Sequence, residues 1–424
     1  MGEKKRRKQA AAEEKARRAA IERARRAGTE ARAARENALS VEAGKKGSMK
    51  KGKTKSKKAK SGKGAASAGN GVTGGWTSDP RELLRVGPQF DLADLARDST
   101  PGWDRGRRAA EKWTDTRSEF LSQLQERLYA SSRGGSQDSV LLVLQGLDTS
   151  GKGGIVRHVV GQVDPQGVEI AAFKAPTEEE RQHDFLWRIR PRLPRPGHIG
   201  VFDRSHYEDL LVPTAQSLTG RRDEHGESWV VDTDELNRRY HDIYEMEVAA
   251  TRAGTRIVKV CLMVSYEEQG LRLRERLDRS DKHWKFSTND LDTRDDWAHF
   301  QAAYAEVLSR TSTEIAPWYV VPADRKWYSR LAVTEILTRT LAEIDPTWPS
   351  ATFDVEAART RLDTTLTPGS LRKWAREKEA VQEEWITADE AVSLAVDELN
   401  AASRLDATRN LTARDHEAGD APTP

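Results

Sequence analysis

The sequence predicts an α/β fold, a parallel sheet sandwiched by helices, and three observations carry that prediction. Short apolar runs recur at Ser139 to Leu144, Val168 to Phe173, His198 to Phe202, Ile257 to Val264 and Trp318 to Val321. Each is separated from the next by a stretch that reads largely as helix, and strands alternating with helices form a parallel sheet covered on both faces. Helix starts support the alternation. Thr177-x-x-Glu180 and Ser265-x-x-Glu268 both fit the capping box, in which two side chains satisfy the first free backbone N–H groups.

Taken in order, residues 1–75 hold 14 Lys and 9 Arg against 7 Glu, a net of +16, so the rest of the chain carries −13 within the overall +3. The tail is Ala, Arg, Glu and Lys and then Lys, Gly, Ser and Ala. It cannot bury enough apolar surface to offset ordering entropy and is expected to be disordered. Such a tail either binds polyanions or nucleic acid as an accessory to the folded body, or only solubilises. A folded domain is expected over 76–348, opening with a helix from Lys112 to Ala130 that runs into the first strand. Beyond it, 349–424 reads as a polar helical extension, helical over 367–400 and frayed over 415–424. The only cysteine, Cys261, lies in an apolar run and suits a reducing cytoplasm. No apolar stretch approaches the roughly 20 residues that a membrane span needs.

Directly after the first strand comes Gly146-Leu147-Asp148-Thr149-Ser150-Gly151-Lys152-Gly153-Gly154, then the helix start Ile155-Val156-Arg157. Strand, glycine loop and helix with G-x4-G-K spacing match a P-loop, or Walker A motif. The backbone at Gly146, Gly151, Gly153 and Gly154 would approach phosphate, and Lys152 would add a point charge. The alternative is a tight glycine turn with a solvated lysine. Gly153 stands where a Ser or Thr would touch magnesium, so Asp148 inside the loop is the candidate replacement oxygen. A later strand ends in Phe202-Asp203-Arg204, at the sheet edge where ligands bind in open α/β sheets. Asp203 would be the second metal oxygen and Arg204 a phosphate clamp; a strand-end salt bridge is the plainer reading.

Between those points Lys174, Arg181, His183, Arg188, Arg190, Arg192 and Arg195 concentrate positive charge. They either line a groove for a polyanion or solvate a helix surface. Arg188 is the first choice as a phosphate ligand, because Phe185, Leu186 and Trp187 would fix it against the core. A lid is expected over about 265–290, where Arg272, Arg276 and Arg279 share a helix face and Lys282, His283, Trp284 and Lys285 follow. A charged surface helix competes with that reading.

The strings Leu144 to Gly154, Phe173-Lys174-Ala175-Pro176, His183 to Arg188, Phe202 to Asp209, Lys282-His283-Trp284-Lys285-Phe286 and Val321 to Trp327 resemble the type-2 polyphosphate kinase family. So do Thr311-Ser312-Thr313 and Ala316-Pro317-Trp318. The likeness runs from about Arg85 to Ile344 and is strongest to the branch that phosphorylates nucleoside mono- and diphosphates. It implies a P-loop kinase fold akin to thymidylate kinase with a helical lid, and reversible transfer between inorganic polyphosphate and AMP, ADP or ATP. It implies magnesium on Asp148 and Asp203, with manganese able to substitute. It also implies phosphate roles for Lys152 and Arg204 and a lid role for Arg276; the charge pattern itself, not the likeness, adds Lys174, Arg188, Lys282 and Lys285 as candidate phosphate ligands. Relatives suggest a homo-oligomer. Ser280-Asp281 departs from the family's usual Asp-Pro before the lid lysine. An ATP-dependent nucleoside monophosphate kinase would show the same loop, acid and lid, so the donor stays open.

Overall fold

The computed structural model describes residues 75–173, 175–219 and 232–419. The disordered tail expected over 1–75 therefore lies outside the described residues, except for Gly75. Five strands, β1 (Ser139–Gln145), β2 (Val168–Ala172), β3 (Ile199–Asp203), β4 (Thr255–Met263) and β5 (Trp318–Pro322), form one sheet in the order β2-β3-β1-β4-β5. Every neighbouring pair is parallel. The helices that build the cores and the site are α1 (Gly106–Ser132), α2 (Lys152–His158), α3 (Glu208–Thr219), α4 (Thr233–Arg252), α5 (Tyr266–Asp278), α6 (Asn289–Asp295), α7 (Trp297–Thr311), α8 (Lys326–Ile344) and α9 (Pro368–Gly419), with shorter ones at Pro80–Leu84, Glu178–Arg181 and Val355–Asp363.

β1 is buried at all seven positions, because helices cover both faces of the central strand. Its alternate residues enter two cores. Val140, Leu142 and Leu144 pack with Leu121, Leu124 and Leu128 of α1 and with Leu331, Ile336 and Leu337 of α8. Leu141 and Val143 face Leu210, Ile243 and Val307 of α3, α4 and α7. The chain passes from β1 to the β2 edge, returns to β3, and only then crosses to β4 and β5. That reversal leaves the carboxyl end of β1 as a topological switch point, with Leu144 in register with Asp203 on one side and Val260 on the other.

Two expectations need amending. Ser265 does cap α5, accepting from Glu268 N at 3.2 Å, but the reciprocal half of the box is absent. The Glu268 carboxylate is drawn to Arg272 at 2.9 Å, and Asp324 takes the Ser265 N–H at 2.7 Å instead. Secondly, the C-terminal helix runs from Pro368 to Gly419, beyond the 367–400 expected and into residues expected to fray, and it is not merely a polar extension. Val392, Val396 and Leu399 lie at i, i+4 and i+7 and are buried in the same core as α1 and α8. Asn400 donates to Ala342 O at 2.9 Å, and Asp389 pairs with Arg127 at 2.7 Å. Ser403 and Arg339 both bond the Asp79 carboxylate, at 2.9 and 3.1 Å. Burial works against the charge on Asp79, but Arg81 and Arg339 prevail and hold its carboxyl down to about 2.

A second buried network ties the other core to the sheet. Lys259 of β4 is fully buried; its Nζ donates to Glu247 of α4 at 3.0 Å, to the Tyr207 hydroxyl at 2.8 Å and to Thr311 O at 2.7 Å. Tyr207 in turn donates to Glu247 at 2.6 Å. Burial pulls the Lys259 ammonium down in pKa, and the Glu247 carboxylate opposes that pull. Removing one member strands a buried charge. Lys259→Met should therefore cost about 3–5 kcal/mol in urea unfolding, and Lys259→Met with Glu247→Gln should recover most of it. A single variant as stable as the parent would contradict this account.

Candidate active site

The glycine loop closes tightly over the end of β1. Gly146 has φ 135°, and a Cβ there would sit 2.5 Å from Leu262 O, so only glycine lets β4 pass. Gly151, at φ 119°, turns the chain into α2, while Gly153 and Gly154 have no atom within 4 Å of where a Cβ would stand. That first turn of α2 can be approached by a ligand. Lys152 is buried and folds back so that its ammonium donates to Gly146 O, with Leu147 O at 3.4 Å. The Thr149 and Ser150 hydroxyl oxygens are buried in the same loop without a hydrogen-bond partner. Buried hydroxyls of that kind suit an anion that accepts from them.

The acid and base at the end of β3 do not pair with each other. Arg204 leaves the strand at φ 65°, its N–H bonding Leu144 O at 3.2 Å, and its guanidinium reaches Asp148 Oδ1 at 2.6 Å. Three non-glycine residues have positive φ among the described residues, and two of them are Arg204 itself and Thr149, the residue after Asp148. A left-handed non-glycine residue costs of order 1–3 kcal/mol and persists where its surroundings over-determine it. Burial raises the pKa of Asp148, but Lys152, Arg204 and Arg276 together hold it below the usual carboxylate range. The Asp203 carboxylate ends β3 half-buried. Two carboxylates beside a phosphate loop, Asp148 with one oxygen already on Arg204 and Asp203 at the strand end, fit magnesium, which takes one or two protein carboxylates and fills its octahedron with waters and substrate phosphate. Among the described residues no cluster of three or more His, Cys, Asp or Glu side chains could hold a metal alone.

The expected lid face splits into three roles. Arg272 is 6 % exposed and acts as a brace: its guanidinium donates to Thr149 O at 2.9 Å and Ser150 O at 3.1 Å in the loop, and to Ala323 O at 2.6 Å and Asp324 O at 3.0 Å after β5. Arg276 turns toward the centre and donates to Lys285 O at 2.9 Å and Asp290 Oδ2 at 3.2 Å. Arg279 is half-exposed and pairs with Asp281 and Glu275. Lys282 lies 3.9 Å from Asp281. Burial, then Lys282, Arg157 and Arg276, lower the Lys285 pKa, the mark of cations gathered at one place. Arg188 is mostly buried, with Glu180 at 3.4 Å and Asp209 at 3.6 Å from its guanidinium. Lys174 lies outside the described residues.

Sequence reasoning passed over Asp290, Glu208 and Arg157. Asp290 is 6 % exposed at the start of α6, where burial and the Asp148 charge beside it raise its pKa. Glu208 sits behind Arg204, and burial is the first cause of its raised pKa. Turned so that its N–H faces that carboxylate, the Gln145 amide donates to Glu208 at 3.0 Å and accepts from Ser205 N at 3.2 Å. No local pattern marks these groups, because each acquires its partner only across the fold.

The sequence profile of the polyphosphate kinase 2 (PPK2) family matches residues 106–348. The chain is 40 % identical over 267 residues to an AMP/ADP-polyphosphate phosphotransferase of Meiothermus ruber, covering 62 % of this chain and 94 % of that one. To an ADP-polyphosphate phosphotransferase of Rhodopseudomonas palustris it is 41 % identical over 239 residues, covering 56 % and 81 %. The crystal structure of a polyphosphate kinase 2 from Arthrobacter aurescens superposes with a TM-score of 0.63 at 46 % identity, over 68 % of this chain and 98 % of that one.

Two residues beyond Arg204, His206 is buried to 1 % with neither ring nitrogen bonded, against the rings of Phe202 and Tyr207. Burial first, then the Lys259 charge, pull its imidazole down to about 3. An unfolded histidine binds its proton near 6.5. Between those values the unfolded chain holds one more proton, so stability should fall by about 1.4 kcal/mol for each pH unit of acidification. Urea unfolding of the parent and of His206→Leu from pH 7 to pH 4 checks this; the variant should lose one proton's worth of slope, and parallel curves would disprove it.

Proposed function

The chain belongs to the polyphosphate kinase 2 family, and from that premise we propose that it transfers phosphoryl groups between inorganic polyphosphate and nucleotides, AMP to ADP and ADP to ATP. The observation that carries the reading is the convergence of Asp148, Lys152 and Arg204 on one glycine loop at the carboxyl end of β1. Phosphoryl transfer asks mainly for position and charge stabilisation, so this machinery suffices without a covalent nucleophile. A phosphoanhydride is exchanged for a phosphoanhydride, which makes the reaction reversible.

The loop amides of Gly151 and Gly153 and the Lys152 ammonium hold the terminal phosphate oxygens, while the Gly154 amide donates to Gly151 O at 2.8 Å and closes the first turn of α2. Arg204 and Arg276 approach from β3 and α5 and offset the charge that spreads over the transferring group. Arg272 keeps the loop and the segment after β5 in register, so that the donors stay aimed while the 265–290 segment covers the site and excludes water. Asp148 and Asp203 would hold magnesium, which when bound would supply positive charge against the phosphate oxygens. Lys282 and Lys285 carry the polyphosphate chain onward from the lid. The basic 1–75 segment adds salt-sensitive contacts to polyanions, outside the chemistry. No helix among the described residues is long and apolar enough to cross a membrane, and a buried, unpaired Cys261 suits the cytoplasm.

Purified protein offered AMP with long-chain polyphosphate should form ADP efficiently, and with ATP in place of polyphosphate should form it poorly. Equal turnover with ATP would make the protein a nucleoside monophosphate kinase instead. Asp203→Asn should reduce kcat at least about a hundredfold with the thermal midpoint within about 2 °C of the parent, because it removes a charge and leaves the strand end intact. Near-normal turnover in that variant would refute the metal role.

A further inference from the structure

Four arginines of the 265–290 segment pair with carboxylates, and one of those carboxylates is unlike the rest. Arg274 pairs with Asp278, and Arg279 with Glu275 and Asp281, acids whose side chains are 51–61 % exposed. Glu268, the partner of Arg272, is 29 % exposed. Asp290, 3.2 Å from Arg276, is only 8 % exposed. An exposed ion pair exchanges with water and fixes little, whereas a buried one holds its geometry. Lys285 O accepts from the same guanidinium at 2.9 Å, so Arg276 is gripped from two sides.

Asp290 is itself a fixed point. Its Oδ2 accepts from Ser287 N at 3.4 Å, and its own N–H donates to Ser287 O at 3.0 Å, which closes the chain into α6. One turn on, Arg294 seats α6 against α5. Its guanidinium lies 3.4 Å from the centre of the Tyr266 ring and donates to Gln269 Oε1 at 3.1 Å. Glycine at 270 leaves room for that guanidinium, which would stand 2.8 Å from a Cβ. Gln269 is fully buried, and its amide faces Asp148 O at 3.5 Å. The α5–α6 pair is thus anchored beside the glycine loop, and Arg276 extends from that anchor to where its charge acts on Asp148.

We propose that Asp290 is a positioning residue for phosphoryl transfer: it holds the Arg276 guanidinium from α6 and keeps that cation aimed at the transferring group. The inference rests on the proposed phosphotransferase function and adds to it a residue outside both the glycine loop and the end of β3. In this role Asp290 touches neither substrate nor metal and acts only through Arg276. Aim matters because a donor misplaced by about 1 Å loses much of its hold on the transition state. An untethered arginine would also have to be ordered again in every turnover.

Steady-state kinetics on the full chain test this as a double-mutant cycle. Arg276→Ala should lower kcat about a hundredfold and Asp290→Ala about tenfold, each with KM for AMP and for polyphosphate within about threefold of the parent. Together the two changes should cost no more than Arg276→Ala alone, because the aim of a missing guanidinium cannot be lost twice. Asp290→Asn keeps a carbonyl for the guanidinium and should retain at least about a third of the parent's kcat. Losses that multiply to about a thousandfold in the double variant would overturn the proposal. So would full kcat in either alanine variant, or an asparagine variant as slow as alanine, the behaviour of a metal ligand. Asp290→Ser, too short to reach Arg276, carries the same cycle if the alanine variant does not fold. A parent without polyphosphate-dependent turnover would instead sink the functional reading beneath it, so the two failures are told apart.

Discussion

A carboxylate and a guanidinium 2.6 Å apart, Asp148 in the glycine loop and Arg204 past the end of β3, close the floor of the site. Both residues depend on β1 and β3 being direct neighbours in register, Leu144 opposite Asp203, which the order of the sheet brings about. The contact also explains why the backbone bends at Thr149 and Arg204, where two non-glycine residues take a left-handed conformation. Relaxing either turn would part the pair and expose two charges that now offset each other. The strain is retained because the site needs a charged group at each place.

Around that floor, positive charge is distributed by function rather than pooled. Arg272 spends its donors on backbone carbonyls of two loops and is a structural tie. Arg276 stands between Lys285 O and Asp290, close enough to Asp148 to influence its charge. Lys285 and Arg157 sit near one another, and like charges remain together only where something else gains from it. In a domain whose net charge outside the basic tail is acidic, this concentration makes a local positive potential beside the glycine loop.

Stability is organised by two buried polar networks, one in each core. Lys259, Glu247 and Tyr207 lock α4 to the sheet beneath the site. Asp79, Arg339, Glu335 and Ser403 lock the N-terminal segment, α8 and the C-terminal helix together. A buried charge is tolerable only with its partners in place, so these networks specify which helix lies where. The docking of α9 follows from this: its three apolar residues supply burial, and its polar residues find partners that exist only on the folded body.

The strands were legible because a parallel sheet covered on both faces demands continuous apolar runs, and Ser139 to Gln145 or Trp318 to Pro322 cannot be read otherwise. The glycine loop was legible because a close approach of backbone to phosphate demands residues without side chains at fixed spacing, and Asp148 and Lys152 came with it. Partnership was not legible. Nothing local distinguishes Arg272 from Arg276, four residues apart on one helix, yet one braces carbonyls and the other faces the centre. Glu268 fits a capping box in the sequence and serves Arg272 in the fold. Val392, Val396 and Leu399 were outnumbered by polar neighbours until α1 and α8 supplied a surface for them. By itself the sequence determined where backbone must be extended, helical or free of side chains, since those are short-range steric and solvation requirements. Tertiary structure alone decided which charge meets which, because that depends on distances across the sheet that no linear spacing encodes.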